Sequence, residues 1–251
     1  MYALASDFDE TLFFSHRDEK ISNEDIHKIK QWQQSGQLFG ICTGRPLSGV
    51  DEYLKGLLNL DFMIVSSGGL ILNKNREVIY EQCLDENIVE EIVMKYQNDY
   101  QITIQANGYI YALKNKVSMP IKQIVVNQLK QIPVKHFYGI SIVALNSQEA
   151  QLLTNRLMSD YQKSIAVFQN NQYVDIVAIN CSKGNAVNYV KEVLNIDMIS
   201  GIGDSYNDLS LLEACDYSFT FHNSPDILKK KANHIVGSIK EALECLSSLQ
   251  Q

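Results

Sequence analysis

Four short polar stretches could do chemistry together: Asp7-Phe8-Asp9-Glu10-Thr11, Thr43-Gly44-Arg45, Ser182-Lys183-Gly184 and Gly203-Asp204-Ser205-Tyr206-Asn207-Asp208. Asp7, Asp9, Asp204 and Asp208 brought close would repel one another and raise one another's pKa values. A hard divalent cation resolves that conflict. Mg²⁺ takes oxygen ligands in octahedral geometry, keeps some waters and bridges to phosphate oxygens. Lys183 adds a fixed cation and Thr43 a hydroxyl donor, so a locally positive pocket can form on an acidic chain. Such a set suits phosphoryl transfer, which needs positioning and charge stabilisation at the equatorial oxygens. Asp7 is placed to act as nucleophile and form an aspartyl-phosphate. Asp9, two residues on, could protonate the leaving oxygen and then activate water.

These residues need elements to hold them. The apolar run Tyr2 to Ser6 reads as a buried strand ending at Asp7. Ser22-Asn23-Glu24-Asp25 resembles a capping box with Asp in the Glu position, opening a helix that Gly36 stops. Leu38 to Cys42 is a second strand running into Thr43, with Pro46 suited to the first turn of the next helix. Phe62 to Val65 is a third strand, ending in Ser66-Ser67-Gly68-Gly69. Later, Ser182 caps a helix, Met198 to Ile202 is a strand ending in Gly203-Asp204, and Ser224-Pro225 looks like a cap followed by Pro at the first helical position. Alternating strands and helices imply a doubly wound α/β core with parallel strands, whose site lies at the carboxyl ends of those strands. Asp7, Thr43, Ser66 and Asp204 fall there. From 81 to 179 the pattern changes to a mixed α/β insertion, with a helix expected over Glu86–Tyr96, another around Ile121–Gln131 and a third near Ser147–Ser159. The expected division is therefore a catalytic core over 1–80 and 180–251, and an inserted domain over 81–179.

The whole chain bounds the reading. Its 251 residues, 45% hydrophobic and 20% charged, can bury a core. A formal charge of −7 opposes nucleic-acid binding. The cysteine count, 5, is odd, and no CxxC spacing occurs, which argues against a disulfide framework or a structural zinc site and for a reducing compartment. The N-terminus lacks a basic region and meets Asp7 early, unlike a signal peptide, and no uncharged apolar run reaches the ~20 residues of a membrane span. The sequence reads as cytoplasmic, with no membrane partner; it leaves monomer and dimer open.

The set resembles the haloacid dehalogenase superfamily of phosphatases. DFDETL matches its first motif, ICTGR the second, CSKGNAV the third and GIGDSYNDLSLL the fourth. The strings TGR, SKG and GDSYND look like the Cof-type subgroup, which carries a large α/β cap between the second and third motifs. The resemblance implies a Mg²⁺-dependent phosphatase acting on a small phosphorylated molecule, a sugar phosphate or a phosphorylated cofactor. It implies Asp7 as nucleophile and metal ligand. Asp9 is implied as general acid/base, giving its carbonyl to the metal, and Asp204 and Asp208 as metal ligands. Thr43, Gly44, Lys183 and Asn207 hold the phosphate, and Arg45 faces the substrate entrance. Three segments depart from the pattern. Glu10 stands where Gly is common, Ser67-Gly68-Gly69 replaces Asn-Gly-Ala, and Phe219 to Asn223 differs from Ala-Met-Gly-Asn.

Blander roles stand beside these. Thr43 could cap the helix after Gly44. Asp208 could be a first-turn acid, favourable to the helix dipole, whereas Lys183 at a helix start is unfavourable and calls for compensation. The histidines and cysteines read as surface or packing residues. Two rival functions use the same residues: a phosphomannomutase-like phosphotransferase, and a non-catalytic protein binding a phosphorylated ligand.

Overall fold

The computed structural model describes residues 1–119, 121–133 and 136–249. In chain order the elements are β1 (Tyr2–Ser6), α1 (Asn23–Gln34), β2 (Leu38–Cys42), α2 (Leu47–Leu54), β3 (Phe62–Val65), β4 (Leu70–Asn73) and β5 (Val78–Glu81). Then follow α3 (Glu86–Tyr96), β6 (Gln101–Ala106), β7 (Tyr109–Leu113), β8 (Gln123–Val126), β9 (Phe137–Val143), α4 (Ser147–Asp160), β10 (Ile165–Asn170) and β11 (Tyr173–Ala178). The chain closes with α5 (Lys183–Val193), β12 (Met198–Ile202), α6 (Leu209–Ala214), β13 (Tyr217–Phe221), α7 (Asp226–Lys231), β14 (His234–Val236) and α8 (Ile239–Ser248). Among the described residues no helix is long and apolar enough to cross a membrane.

The chain divides into two compact units. The first holds Met1–Gly44, Tyr53–Ile79 and the chain from Ser182 onward; the second holds Arg45–Glu52 and Tyr80–Cys181. That Arg45–Glu52 groups with the second unit had no signal in the sequence.

In the first unit the strands run β14-β13-β12-β1-β2-β3-β4-β5. The pairs from β14 to β3 are parallel, and β4 turns back antiparallel on β3. Parallel strands with crossover helices must be covered on both faces, which is why β1, β2 and β3 are apolar almost throughout. Helix α1 buries Ile26, Ile29 and Trp32. Each such side chain contributes about 2 kcal/mol when fully buried. The expected capping box over Ser22–Asp25 is altered. Ser22 Oγ accepts from the Asp25 N–H, but the buried Asp25 carboxylate accepts from the N–H of Lys240, tying α1 to the start of α8. Ser224 likewise does not cap α7. Pro225 occupies that position, and Ser224 Oγ accepts from the N–H of Phe221.

The second unit's sheet has the order β10-β11-β9-β6-β7-β8. It is antiparallel except for the β7–β8 pair. One face packs Ile102, Ile104, Ile140, Ile142, Val174 and Ile176 against α3 and α4. The helix expected over Ile121–Gln131 is instead strand β8 and a short 3₁₀ turn at Leu129–Gln131. Ile124-Val125-Val126 are β-branched and stiff, and the neighbouring β7 offers a ladder that a helix could not use.

Candidate active site

The β1–β12 register pairs Ser6 with Ile202, so the chain continues into Asp7 on one strand and Gly203-Asp204 on its neighbour. The Asp7 N–H donates to Ile202 O at 2.9 Å, extending the ladder by one step. Asp7 therefore leaves the carboxyl end of β1 in a fixed direction, and it is only 4% exposed.

Lys183 is the first residue of α5, behind the N-cap Ser182, whose Oγ accepts from the Asn185 N–H at 3.0 Å. An ammonium at a helix N-terminus is unfavourable. Its compensation is direct: Nζ lies 2.6 Å from Asp7 Oδ1 and 2.5 Å from Asp208 Oδ1, with all three groups buried. Gly184 lets α5 approach this closely, since a Cβ there would meet Ser210 O at 2.4 Å.

Asp208 is fully buried. Its Oδ2 accepts from the backbone N–H groups of Asp204 and Ser205, both at 3.0 Å. One carboxylate thus closes the loop 203–208 and holds Lys183 with its other oxygen. Gly203 makes room for it, because a Cβ there would lie 2.4 Å from Asp208 Cγ. Asp204 Oδ1 accepts from Thr11 Oγ1 at 3.2 Å. Asn207 Oδ1 accepts from Ser205 Oγ at 2.7 Å, on the same loop.

Carboxylate oxygens of Asp7, Asp204 and Asp208 lie within 4.8 Å of one another. Three carboxylates face one ammonium. Burial, then Asp208 and Asp204, push Asp7 well above the usual carboxylate range, with Lys183 opposing. Burial and Asp208 raise Asp204 to about 6. For Lys183, burial pulls down, but Asp208 and Asp7 more than offset it and hold the ammonium charged. The cluster is short of positive charge and rich in hard oxygen donors, which fits a divalent oxygen-seeking cation.

Thr43 follows the end of β2, and Asp9 lies two residues after Asp7. Thr43 is 1% exposed at the end of β2, its N–H bonded to Ile64 O and its carbonyl to the Ser67 N–H. Gly44 follows, with Ser67 Oγ 3.3 Å from where a Cβ would sit. Asp9 lies on a tight turn after β1 in which Phe8 O accepts from the N–H groups of Leu12 and Phe13. Glu10 has φ 55, the left-handed region, which explains why Gly suits this position. Arg45 belongs to the second unit. It is buried, and its Nη1 donates to Gly49 O at 3.1 Å.

The sequence alone assigns no role to Thr11 or Ser205. Thr11 sits at the fifth place of the first motif, so its motif membership was a usable signal. Ser205 had none beyond adjacency to Asp204.

A family model described as haloacid dehalogenase-like hydrolase matches residues 4–242. A phosphoglycolate phosphatase of Sulfurisphaera tokodaii is 26% identical over 224 residues, covering 88% of this chain and 82% of that protein. The 5-amino-6-(5-phospho-D-ribitylamino)uracil phosphatase of Bacillus subtilis is 25% identical over 275 residues, covering 96% and 94%. Among solved structures, a haloacid dehalogenase-like hydrolase from Bacteroides thetaiotaomicron superposes with a TM-score of 0.83 at 20% identity, covering 97% of this chain and 98% of that one. A match over nearly the whole length, on a fold shared with a solved member, leaves one conclusion: the chain belongs to the haloacid dehalogenase-like hydrolases.

Proposed function

We propose that this hydrolase is a Mg²⁺-dependent phosphatase of small phosphomonoesters, working through a phosphorylated Asp7. The observation that carries this reading is the buried Asp7 carboxylate, fixed at the carboxyl end of β1 and held by Lys183 at 2.6 Å. In the first step an Asp7 oxygen attacks phosphorus and the bond to the leaving oxygen breaks, while Asp9 gives that oxygen its proton. In the second, water attacks the same phosphorus, the bond to Asp7 breaks and the water's proton returns to Asp9. Lys183, Thr43 and Gly44 hold the equatorial oxygens, with Asn207 at the edge of the site. Asp7, Asp204 and the Asp9 carbonyl are the groups proposed to hold the cation; when bound it supplies charge neutralisation at the phosphoryl oxygens. Asp208, expected as a ligand, shares the cluster with Asp7 and Asp204, and its two oxygens also accept from Lys183 and from the N–H groups of Asp204 and Ser205. Its proposed part is to position Lys183 and the Asp204 loop.

The second unit is the proposed cap that reads the leaving group. On the sheet face opposite its core, Thr103, Ser141 and Asp175 stand in register across β6, β9 and β11. Hydroxyls and a carboxylate in a row suit a polyol. A relative whose name gives a phosphoribityl substrate supports a sugar phosphate or phosphorylated cofactor as the substrate class.

The test is phosphate release from sugar phosphates, nucleotides, flavin and pyridoxal phosphates and p-nitrophenyl phosphate, with Mg²⁺, with chelator and in Asp7→Asn. Activity that requires Mg²⁺ and Asp7 is expected. Turnover that needs a sugar acceptor would establish a phosphotransferase, and binding without turnover a non-catalytic protein.

A further inference from the structure

The second unit carries a cluster of different chemistry from the acidic centre. Glu81, Cys83 and His136 place a carboxylate oxygen, a thiol sulfur and a ring nitrogen within 4.8 Å of one another. None of the expected zinc spacings joins them in sequence; the backbone does. Leu84 and Phe137 form an isolated antiparallel bridge, with the Leu84 N–H donating to Phe137 O at 2.7 Å. Both turn their side chains into the unit's core. Alternation along extended chain then sends Cys83 and Glu81 on one side of the bridge, and His136 and Tyr138 on the other, to the opposite face.

The three groups are also oriented. Tyr138 donates its hydroxyl to Glu81 Oε1, and His136 Nδ1 lies 3.4 Å from the same oxygen. Metal-binding carboxylates are commonly steadied by such an outer hydrogen bond. Cys83 is half-buried and in no disulfide, and Glu81 and His136 are exposed, so an ion has access from solvent.

We propose that Glu81, Cys83 and His136 form a second metal site, selective for a borderline-soft divalent cation such as Zn²⁺. One sulfur, one nitrogen and one oxygen make three of the four ligands of a tetrahedral site, the fourth position going to water. The thiol proton leaves to solvent on binding. Thiolate and imidazole disfavour Mg²⁺, so this site and the Asp7 cluster sort different ions. The site lies just past the point where the chain passes from the first unit into the second, between Ile79 and Tyr80. An ion there would join that connecting stretch to the start of β9.

Co²⁺ titration of the full chain tests this, because a thiolate ligand gives a near-ultraviolet charge-transfer band that a carboxylate site cannot. The background is Asp204→Asn, which weakens the acidic centre. The site gives a thiolate band that saturates at one Co²⁺ per chain, is displaced by Zn²⁺ and survives excess Mg²⁺. Cys83→Ser abolishes the band, and His136→Ala weakens Co²⁺ binding at least tenfold. Made singly in the wild-type chain, neither Cys83→Ser nor His136→Ala changes Mg²⁺-supported phosphatase activity measured after the transition metal is removed, which also shows that each is folded. The reading of the Asp7 centre is not at stake, since the band does not depend on it. No thiolate band, or a band that persists in Cys83→Ser, overturns the proposal and leaves Glu81 and His136 as an ordinary exposed ion pair.

Discussion

The two units place polar groups by opposite means. In the first, charged side chains are buried where parallel strands end and helices begin, and the backbone fixes each one: Asp7 by the β1–β12 ladder, Lys183 by the start of α5, Asp208 by two N–H groups of its own loop. In the second, the polar row Thr103, Ser141 and Asp175 exists only because three antiparallel strands are in register. The first arrangement tolerates almost no change at the centre. The second can change residues and keep its sheet.

The sharpest way to break the first arrangement is to remove the space behind Asp208. In Gly203→Ala the new Cβ cannot coexist with the present Asp208 carboxylate. The loop must shift, releasing two part-buried N–H bonds and one partner of Lys183. A loss of about 3 kcal/mol in stability is expected by denaturant unfolding. Phosphatase activity should fall on the order of 10³-fold. An equally active, equally stable variant would mean that Asp208 does not organise the site.

Metal removal separates the units next. Asp204 titrates at about 6, against an ordinary 3.8. Between those values the folded chain binds a proton that the unfolded chain has lost, so stability falls as pH rises through that window. Asp7 shifts in the same direction. The metal-free protein should therefore lose about 2 kcal/mol between pH 4 and pH 7 from Asp204 alone. Mg²⁺ should restore it, with a larger gain in Tm at pH 7.5 than at pH 5. Asp175 in the second unit is also raised, by burial, with the Ser141 hydrogen bond opposing. It has the same sign, but Mg²⁺ should not rescue it. Thermal scans of wild type and Asp175→Asn, with and without Mg²⁺, distinguish the two.

A milder change tests the division of labour. Asp175→Asn should alter kcat/KM for polyol phosphates about tenfold, roughly the worth of one charge-assisted hydrogen bond. It should leave p-nitrophenyl phosphate within about threefold. Equal losses on every substrate would place Asp175 in the structure, not in recognition.

The smallest effect concerns Glu10. Its left-handed backbone costs about 1 kcal/mol relative to Gly. Its carboxylate recovers part of that through the N–H and Oγ of Ser15 and through His16. Glu10→Gly should shift stability by less than about 1 kcal/mol and leave kcat unchanged.

The sequence made the first unit legible because each reactive residue sits at a strand end or helix start, positions that apolar runs and caps reveal. Asp7, Lys183 and Asp204 were readable in that way. Asp208's double engagement was not, since a carboxylate four residues after Asp204 looks the same whether it faces a metal, a helix dipole or a lysine. The burial of Arg45 is not legible in the sequence, because burial is a tertiary property. In the second unit, β8 was mistaken for a helix because a short apolar run has no decisive period. The Thr103–Ser141–Asp175 row and the Glu81–Cys83–His136 cluster were invisible, because pairing far along the chain creates both.

The central claim is that phosphate passes through Asp7. Acid quenching during turnover of a ³²P-labelled substrate, followed by peptide mapping, tests it most directly. The account expects acid-stable, alkali- and hydroxylamine-labile label on the peptide containing Asp7, accumulating at the rate of turnover and absent in Asp7→Asn. Product formed at full rate with no label at Asp7, or label on another residue, would contradict it.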